Sequence, residues 1–274
     1  MPILSIPTGD IYYEVHGEGP AIMLAHGMGG NHASWYQQVQ VLAQSYKVIS
    51  FDHRGFGNST DPQGLGRSAF VGDMKAILDH LDIDRVALIG QSMGGGSCIC
   101  FAGKYPQRVS ALIIADSLHA ITEGGQVADI MSSARAETSS MTQLERVLGR
   151  NFRESEPEKT LLYKQINSFN VVDRHSMTGH YEATYTPQQL SALGVPILFI
   201  AGTDDILFPI EAIRLVQQQV ENSFLVEVCD VGHSAFFESP TEFNDSVLSV
   251  LEMAGVKGVK RAAHSNTQGY QRLI

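Results

Sequence analysis

The chain has 274 residues, 43% of them hydrophobic and 18% charged, with a formal net charge of −10. That balance is the one expected of a globular protein, and the length allows one large domain or two small ones. The acidic charge argues against a phosphate-neutralising nucleic-acid surface, and no apolar run reaches bilayer length.

The first residues, Met1-Pro2-Ile3-Leu4-Ser5, carry neither a basic segment nor a long apolar one, so no signal peptide is expected. The three cysteines, Cys98, Cys100 and Cys229, cannot all pair within one chain and read as small buried hydrophobes, which points to a reducing, cytoplasmic compartment. No H-E-x-x-H or C-x-x-C spacing occurs, and His26 and His32 lie six apart across a glycine-rich loop. Neither a metal nor a cofactor is expected. The expected partner is a small molecule, with no nucleic acid and no membrane, and the chain is expected to be a monomer or homodimer.

In chain order, Ile11-Tyr12-Tyr13-Glu14-Val15 predicts an early strand, and Ala21-Ile22-Met23-Leu24-Ala25 a short strand buried on both faces. The loop His26-Gly27-Met28-Gly29-Gly30 follows. A helix is expected over 34–45, a strand over 46–51, a loop over 52–59 and a helix over 68–81. Val86-Ala87-Leu88-Ile89 is the next strand, followed by a helix after Ser92 and a strand over 111–115. Residues 118–186 break this rhythm, with helix-like stretches near 126–137, 142–152 and 157–169. A structureless loop of that length is uncommon in a compact domain, so the segment predicts an inserted helical cap. The rhythm resumes with strands over 197–201 and 224–228 and a helix over 210–220 between them. Ser239-Pro240-Thr241-Glu242 then marks a helix start: Ser239 as N-cap, Pro240 at the first position and Glu242 at the third. That helix runs to about Ala254. Residues 256–274 hold Lys257, Lys260, Arg261 and Arg272 without an acid and predict a loosely packed tail.

Alternation of strands and helices implies an α/β fold with a mostly parallel, doubly wound sheet and right-handed crossovers. The expected division is a core of residues 1–117 and 187–255, a cap of residues 118–186 and a tail of residues 256–274. In such sheets ligands bind beyond the carboxyl ends of the strands. The loops at His26–Gly30, Ser92, Asp204–Asp205 and His233 all follow predicted strands, so they converge on one sheet edge.

Gly90-Gln91-Ser92-Met93-Gly94 lies between a strand and a helix. A serine with glycines two residues away on each side reads there as a nucleophile held on a sharp turn. The turn lifts the Ser92 hydroxyl above the sheet and leaves the Met93 N–H at a helix N-terminus, where it can face a developing oxyanion. A second oxyanion donor is expected from the glycine-rich loop, at the Met28 N–H. A serine needs a base, and His233, in Val231-Gly232-His233-Ser234-Ala235 after the last strand, is the candidate. His26 competes, but its setting suits a brace for the oxyanion loop. The base needs a carboxylate. Asp205, in Gly202-Thr203-Asp204-Asp205, is favoured, with Asp204 supporting the turn and Asp116 at another strand end as the rival. Trp35, Met28, Met93, Leu207 and Phe236 are expected to line the pocket, with Met131, Met141, Phe169 and Met177 from the cap, and together they suggest an apolar substrate of modest size. A phosphate-binding reading finds no G-x-x-x-x-G-K-[ST], and Gly55-Phe56-Gly57-Asn58-Ser59-Thr60 lacks the third glycine of a dinucleotide fingerprint.

With His26-Gly27, Asp52-His53-Arg54-Gly55-Phe56-Gly57-Asn58-Ser59, the Ser92 turn, Gly202-Thr203-Asp204-Asp205 through Pro209, and Gly232-His233, the chain resembles the α/β-hydrolase family. The resemblance covers nearly the whole chain outside the cap and tail. It implies Ser92 as nucleophile, Asp205 as acid, His233 as base, Met28 as an oxyanion donor and a structural role for the Asp52–Ser59 loop. Ester or lactone hydrolysis is the leading expectation. Carbon–carbon hydrolases of the family usually carry Asn before the nucleophile, Arg in the acid loop and Trp after the histidine. Gln91, Ile206 and Ser234 stand at those places here. Haloalkane dehalogenases use an aspartate where this chain has Ser92. Besides hydrolysis, the resemblance leaves open cofactor-free perhydrolysis and a small-molecule receptor role with little turnover.

Overall fold

The computed structural model describes residues 2–259. Eight strands form one sheet: β1 (Ile3–Ile6), β2 (Gly9–His16), β3 (Ala21–Ala25), β4 (Lys47–Phe51), β5 (Val86–Gln91), β6 (Val109–Ala115), β7 (Ile197–Gly202) and β8 (Ser223–Val228), in the order β1-β2-β4-β3-β5-β6-β7-β8. β1 and β2 pair antiparallel and β2 runs antiparallel to β4. All pairings from β4 to β8 are parallel. The short edge strand β1 is an addition to the elements expected from sequence.

The central strands are continuous apolar runs because both faces are covered. Alternate residues point to opposite sides. Met23, Leu88, Leu112 and Phe199 pack with α2 (Phe70–His80), α3 (Met93–Lys104) and α9 (Ile210–Gln217). Ile22, Leu24, Ile89, Ile113 and Leu198 pack with α1 (Tyr36–Leu42) and α11 (Pro240–Met253). α1, α2 and α9 are shorter than their sequence-based ranges. The segment before α1 and that before α2 are 3-10 turns, His32–Trp35 and Gly66–Ala69. Pro240 opens α11 as expected, but the Ser239 side chain makes no capping hydrogen bond.

Between β6 and β7 lie α4 (Gln126–Thr138), α5 (Gln143–Val147), α6 (Arg150–Ser155), α7 (Pro157–Asn167) and α8 (Pro187–Ser191). The stretch 142–152, expected as one helix, is two: Leu148 is extended, and Gly149 precedes α6 outside helical geometry. The two ends of the insertion are tied at a neck, where Thr122 N–H donates to Tyr185 O (2.9 Å) and Tyr185 N–H to Ala120 O (2.8 Å). The helices reach back over the strand ends. Gln143 Nε2 donates to Met28 O (2.9 Å), Ser234 Oγ to Val147 O (2.7 Å) and Asn31 Nδ2 to Ile166 O (3.0 Å).

The Asp52–Ser59 loop is a packed polar staple. Asp52 is fully buried and accepts from His32 N (2.6 Å), His32 Nδ1 (2.8 Å) and Asn58 N (2.8 Å). Arg54, also fully buried, is held in two-pronged fashion by Asp73 at 2.8 and 2.5 Å, with Asp61 at 3.3 Å. An unpaired guanidinium there would cost several kcal/mol.

Cys98 and Cys100 are buried on α3, but Cys229 is exposed, contrary to expectation. It follows the last residue of β8, which among the described residues is the edge strand of the sheet. Of the predicted tail, residues 256–259 pack onto the start of β4: Tyr46 OH donates to Val256 O (3.2 Å) and Val259 N–H to Ser45 O (2.9 Å). Residues 260–274 lie outside the described residues. Among the described residues, no helix is long and apolar enough to cross a membrane.

Candidate active site

The sheet order decides which loops meet. The chain leaves β3 for β4 on one side and returns to β5 on the other, so β3 and β5 flank the point where winding direction reverses. Ligands bind at such points, and the loops after β5, β6, β7 and β8 continue along the same edge.

Ser92 joins β5 to α3 with φ 50° and ψ −117°. Such a backbone is rare for a residue with a Cβ and costs on the order of 1–3 kcal/mol, a strain that collects at functional sites. The flanking glycines explain how it fits. A Cβ on Gly94 would lie 2.0 Å from Ala25 O, and one on Gly90 2.4 Å from Gly94 O. The turn is pinned by Ser92 N–H donating to Ala115 O (2.9 Å) and by Ser117 Oγ donating to Ser92 O (2.8 Å).

His233 and Asp205 meet as expected. His233 Nδ1 lies 2.9 Å from Asp205 Oδ2, and both side chains are buried. The other Asp205 oxygen accepts from Leu207 N–H (2.7 Å) and Phe208 N–H (3.1 Å), which fixes the carboxylate. Phe208 stacks on the imidazole at 5.6 Å. Gln91 Nε2 donates to His233 O (2.7 Å), so the residue before Ser92 holds the histidine loop directly. Ser92 and His233 line the same cavity. Among the described residues no direct Ser92–His233 hydrogen bond forms, an arrangement that commonly tightens only when substrate is bound.

Asp116, the rival carboxylate, takes a different part. It is fully buried, with Oδ1 accepting from Gly202 N–H (3.1 Å) and Oδ2 from Ala235 N–H (3.0 Å). Burial, then the charge of Asp205, pushes it up to about 8 against those two donors. It ties the ends of β6 and β7 to the start of α10 (Ala235–Glu238), whereas Asp205 contacts the imidazole. Asp204 is exposed and supports the turn through its N–H to Val231 O (2.9 Å).

Met28 and Met93 both line the cavity, and among the described residues neither backbone N–H has a partner. Met93 is the first residue of α3, where N–H groups are left unsatisfied by the helix. His26 braces the Met28 loop. Its Nδ1 lies 2.8 Å from Gly27 O, and its Nε2 accepts from His53 N–H (3.0 Å). Those bonds assign the neutral tautomer with the proton on Nδ1, and burial holds the ring neutral by pushing its pKa down to about 4.

A cavity of about 230 Å³ opens over Ser92 and His233. Leu207 and Met131 line it as expected. Trp35 and Phe236 do not. Both are buried in the core on the α1–α11 side, with ring centroids 4.5 Å apart, because α10 turns Phe236 back toward α1. Phe169 is 70% exposed, and Met177 packs instead beside Phe56, Phe70 and Met93. Met141 is also absent from the lining. The wall is mixed rather than purely apolar: beside Met28, Met93, Met131, Leu207 and Phe208 it includes Arg67, Arg135, Arg146 and Arg174. These arginines come from four separate segments, and no spacing in the sequence links them. Glu238 is another residue that no sequence motif marks. Its carboxylate accepts from Gly232 N–H (3.1 Å) and Gly149 N–H (3.1 Å), joining the histidine loop to the start of α6.

A sequence profile of the alpha/beta hydrolase fold family matches residues 20–240. The chain is an α/β-hydrolase fold protein. This α/β-hydrolase is similar to 3-oxoadipate enol-lactonase 2 of Acinetobacter baylyi, 28% identical over 244 residues, covering 85% of this chain and 89% of the relative. Among solved structures it is similar to an N-acyl homoserine lactone degrading enzyme, with a TM-score of 0.74 and 28% identity over 90% of this chain and 99% of that one. A thermophilic esterase from Thermogutta terrifontis shares the fold at a TM-score of 0.77 and 22% identity, covering 93% and 99% of the two chains.

Proposed function

We propose that this α/β-hydrolase cleaves a carboxylic ester or lactone through an acyl-enzyme on Ser92. The observation that carries the reading is the 2.9 Å contact between buried Asp205 and His233 Nδ1, beside a strained Ser92 on the same cavity. With Nδ1 engaged, Nε2 remains to take the Ser92 proton. Ser92 Oγ then attacks the carbonyl carbon, and the Met28 and Met93 N–H groups receive the oxyanion. The imidazolium returns its proton to the departing alkoxide, and water, deprotonated by the same histidine, frees the acid. The helices over the strand ends act as a cap on this cavity.

The two relatives at 28% identity, an enol-lactonase and an N-acyl homoserine lactone degrading enzyme, support the lactone part of this substrate class. Ser92→Ala is expected to abolish hydrolysis of short nitrophenyl esters and lactones while the circular dichroism spectrum and melting temperature stay close to wild type. Retention of most of the activity by that variant would refute the assignment.

A further inference from the structure

Four arginines line the cavity over Ser92, against one acidic residue, Glu123. Arg135 is already matched, its two terminal nitrogens lying 2.9 and 2.7 Å from the Glu123 oxygens. The other three lack a carboxylate among the described residues. Arg67 and Arg146 each bury an Nε–H with no hydrogen-bond partner. Arg174 contacts only the carbonyls of Ser139 (3.2 Å) and Met141 (3.1 Å) and the ring of His175 (3.0 Å).

Buried donors without partners are uncommon, and like charges gathered at one cavity oppose each other. Burial and the charge of Arg174 both push Arg146 down. His119, on the same wall, is pushed down to about 3 by burial and then by Arg67, so it stays neutral. The region is thus cationic in a chain whose net charge is −10. A guanidinium is a planar fork suited to a carboxylate.

We infer that the substrate carries a carboxylate in addition to its ester or lactone group, seated by Arg67, Arg146 and Arg174. This rests on the proposed hydrolase function for the reaction but not for the binding. The cavity volume of about 230 Å³ confines the substrate to a small acid, since pockets for drug-sized ligands run from roughly 300 Å³ upward.

The test uses two nitrophenyl esters of equal acyl length, the half-ester of glutaric acid and the neutral pentanoate. Wild type is expected to favour the anionic ester at least about tenfold in kcat/KM at low salt, the preference narrowing as sodium chloride screens it. Arg146→Met and Arg67→Met are expected to reduce that preference roughly 10- to 100-fold, mainly through KM. Arg146→Lys and Arg67→Lys, which keep the charge without the fork, should restore part of it. Lys164→Gln removes the same charge from an exposed position on α7 and serves as the control. Glutarate binding to Ser92→Ala by calorimetry gives a readout free of turnover. Equal use of the two esters by wild type, or a preference that survives both arginine substitutions or falls equally with Lys164→Gln, overturns the inference. If neither ester is cleaved but glutarate binds in an arginine-dependent way, the anion site stands and the hydrolase reading falls.

Discussion

Burial and the charge of Asp205 act on His233 in opposite directions. Burial lowers the affinity of the ring for a proton, while the Asp205 charge and hydrogen bond, with a smaller contribution from Asp116, raise it. The second influence prevails, and the histidine sits above its ordinary value of 6.5. In the proposed reaction His233 must be unprotonated to accept the Ser92 proton, so the rate is expected to rise with pH as the ring loses its own. The acidic limb of the kcat/KM profile is therefore expected above pH 6.5. Asp205→Asn should move that limb to lower pH and reduce kcat roughly 10³- to 10⁴-fold. A limb that stays in place with a loss under tenfold would transfer the role to Asp116. The meeting of Asp205 with His233, and their place beside Ser92, was legible in the sequence because each residue lies one to three positions after a glycine in a loop that follows a strand. Trp35 and Phe236 were not, since aromatic character does not tell which face of the sheet a ring will join. Nor were Arg67, Arg146 and Arg174, whose convergence depends on how the insertion folds back over the sheet.

At the scale of elements, the insertion packs on the core through Val127, Met131, Val147, Phe152, Tyr163 and Ile166 and adds to that apolar seam a few polar ties. Glu238 is the most concentrated of these, reaching both Gly149 at the start of α6 and Gly232 beside the base. Burial pushes its carboxyl up to about 7 despite those backbone donors. Glu238→Ala would leave two backbone N–H groups without their acceptor, each worth about 1–3 kcal/mol when buried. The expected result is a stability loss of about 2–4 kcal/mol, with amide exchange accelerating across 143–155 more than across α3. Uniform acceleration would show that Glu238 supports the whole fold rather than this junction. The sequence showed that helices fill this segment but not that 142–152 divides. Gly149, with the highest helical cost after proline, was the available sign; its use as the landing point for Glu238 depends on a residue 89 positions away.

For the whole molecule, the doubly wound core was readable because its strands are unbroken apolar runs, and such runs in this rhythm can only be buried on both faces. The edge strand β1 was missed: it is four residues long and half exposed, so nothing in its composition sets it apart from a loop. The helix after Ser92 shows the opposite relation between sequence and structure. α3 has four glycines in its twelve residues, a penalty of about 4 kcal/mol relative to alanine, and a helix so short is marginal in isolation even with good formers. Its shape is conferred by the backbone of β3, against which Gly94 is pressed, so it has no local state to nucleate from. Hydrolytic competence should consequently be among the last properties regained on refolding. Trp35, the only tryptophan, reports burial on the far side of the sheet. After dilution from urea, ester hydrolysis is expected to return with or behind Trp35 fluorescence, and activity that leads it would contradict this order. On the proposed reading, Ser92 is activated only in the finished chain, and a nascent or partly unfolded copy exposes an ordinary serine without the Asp205–His233 pair beside it.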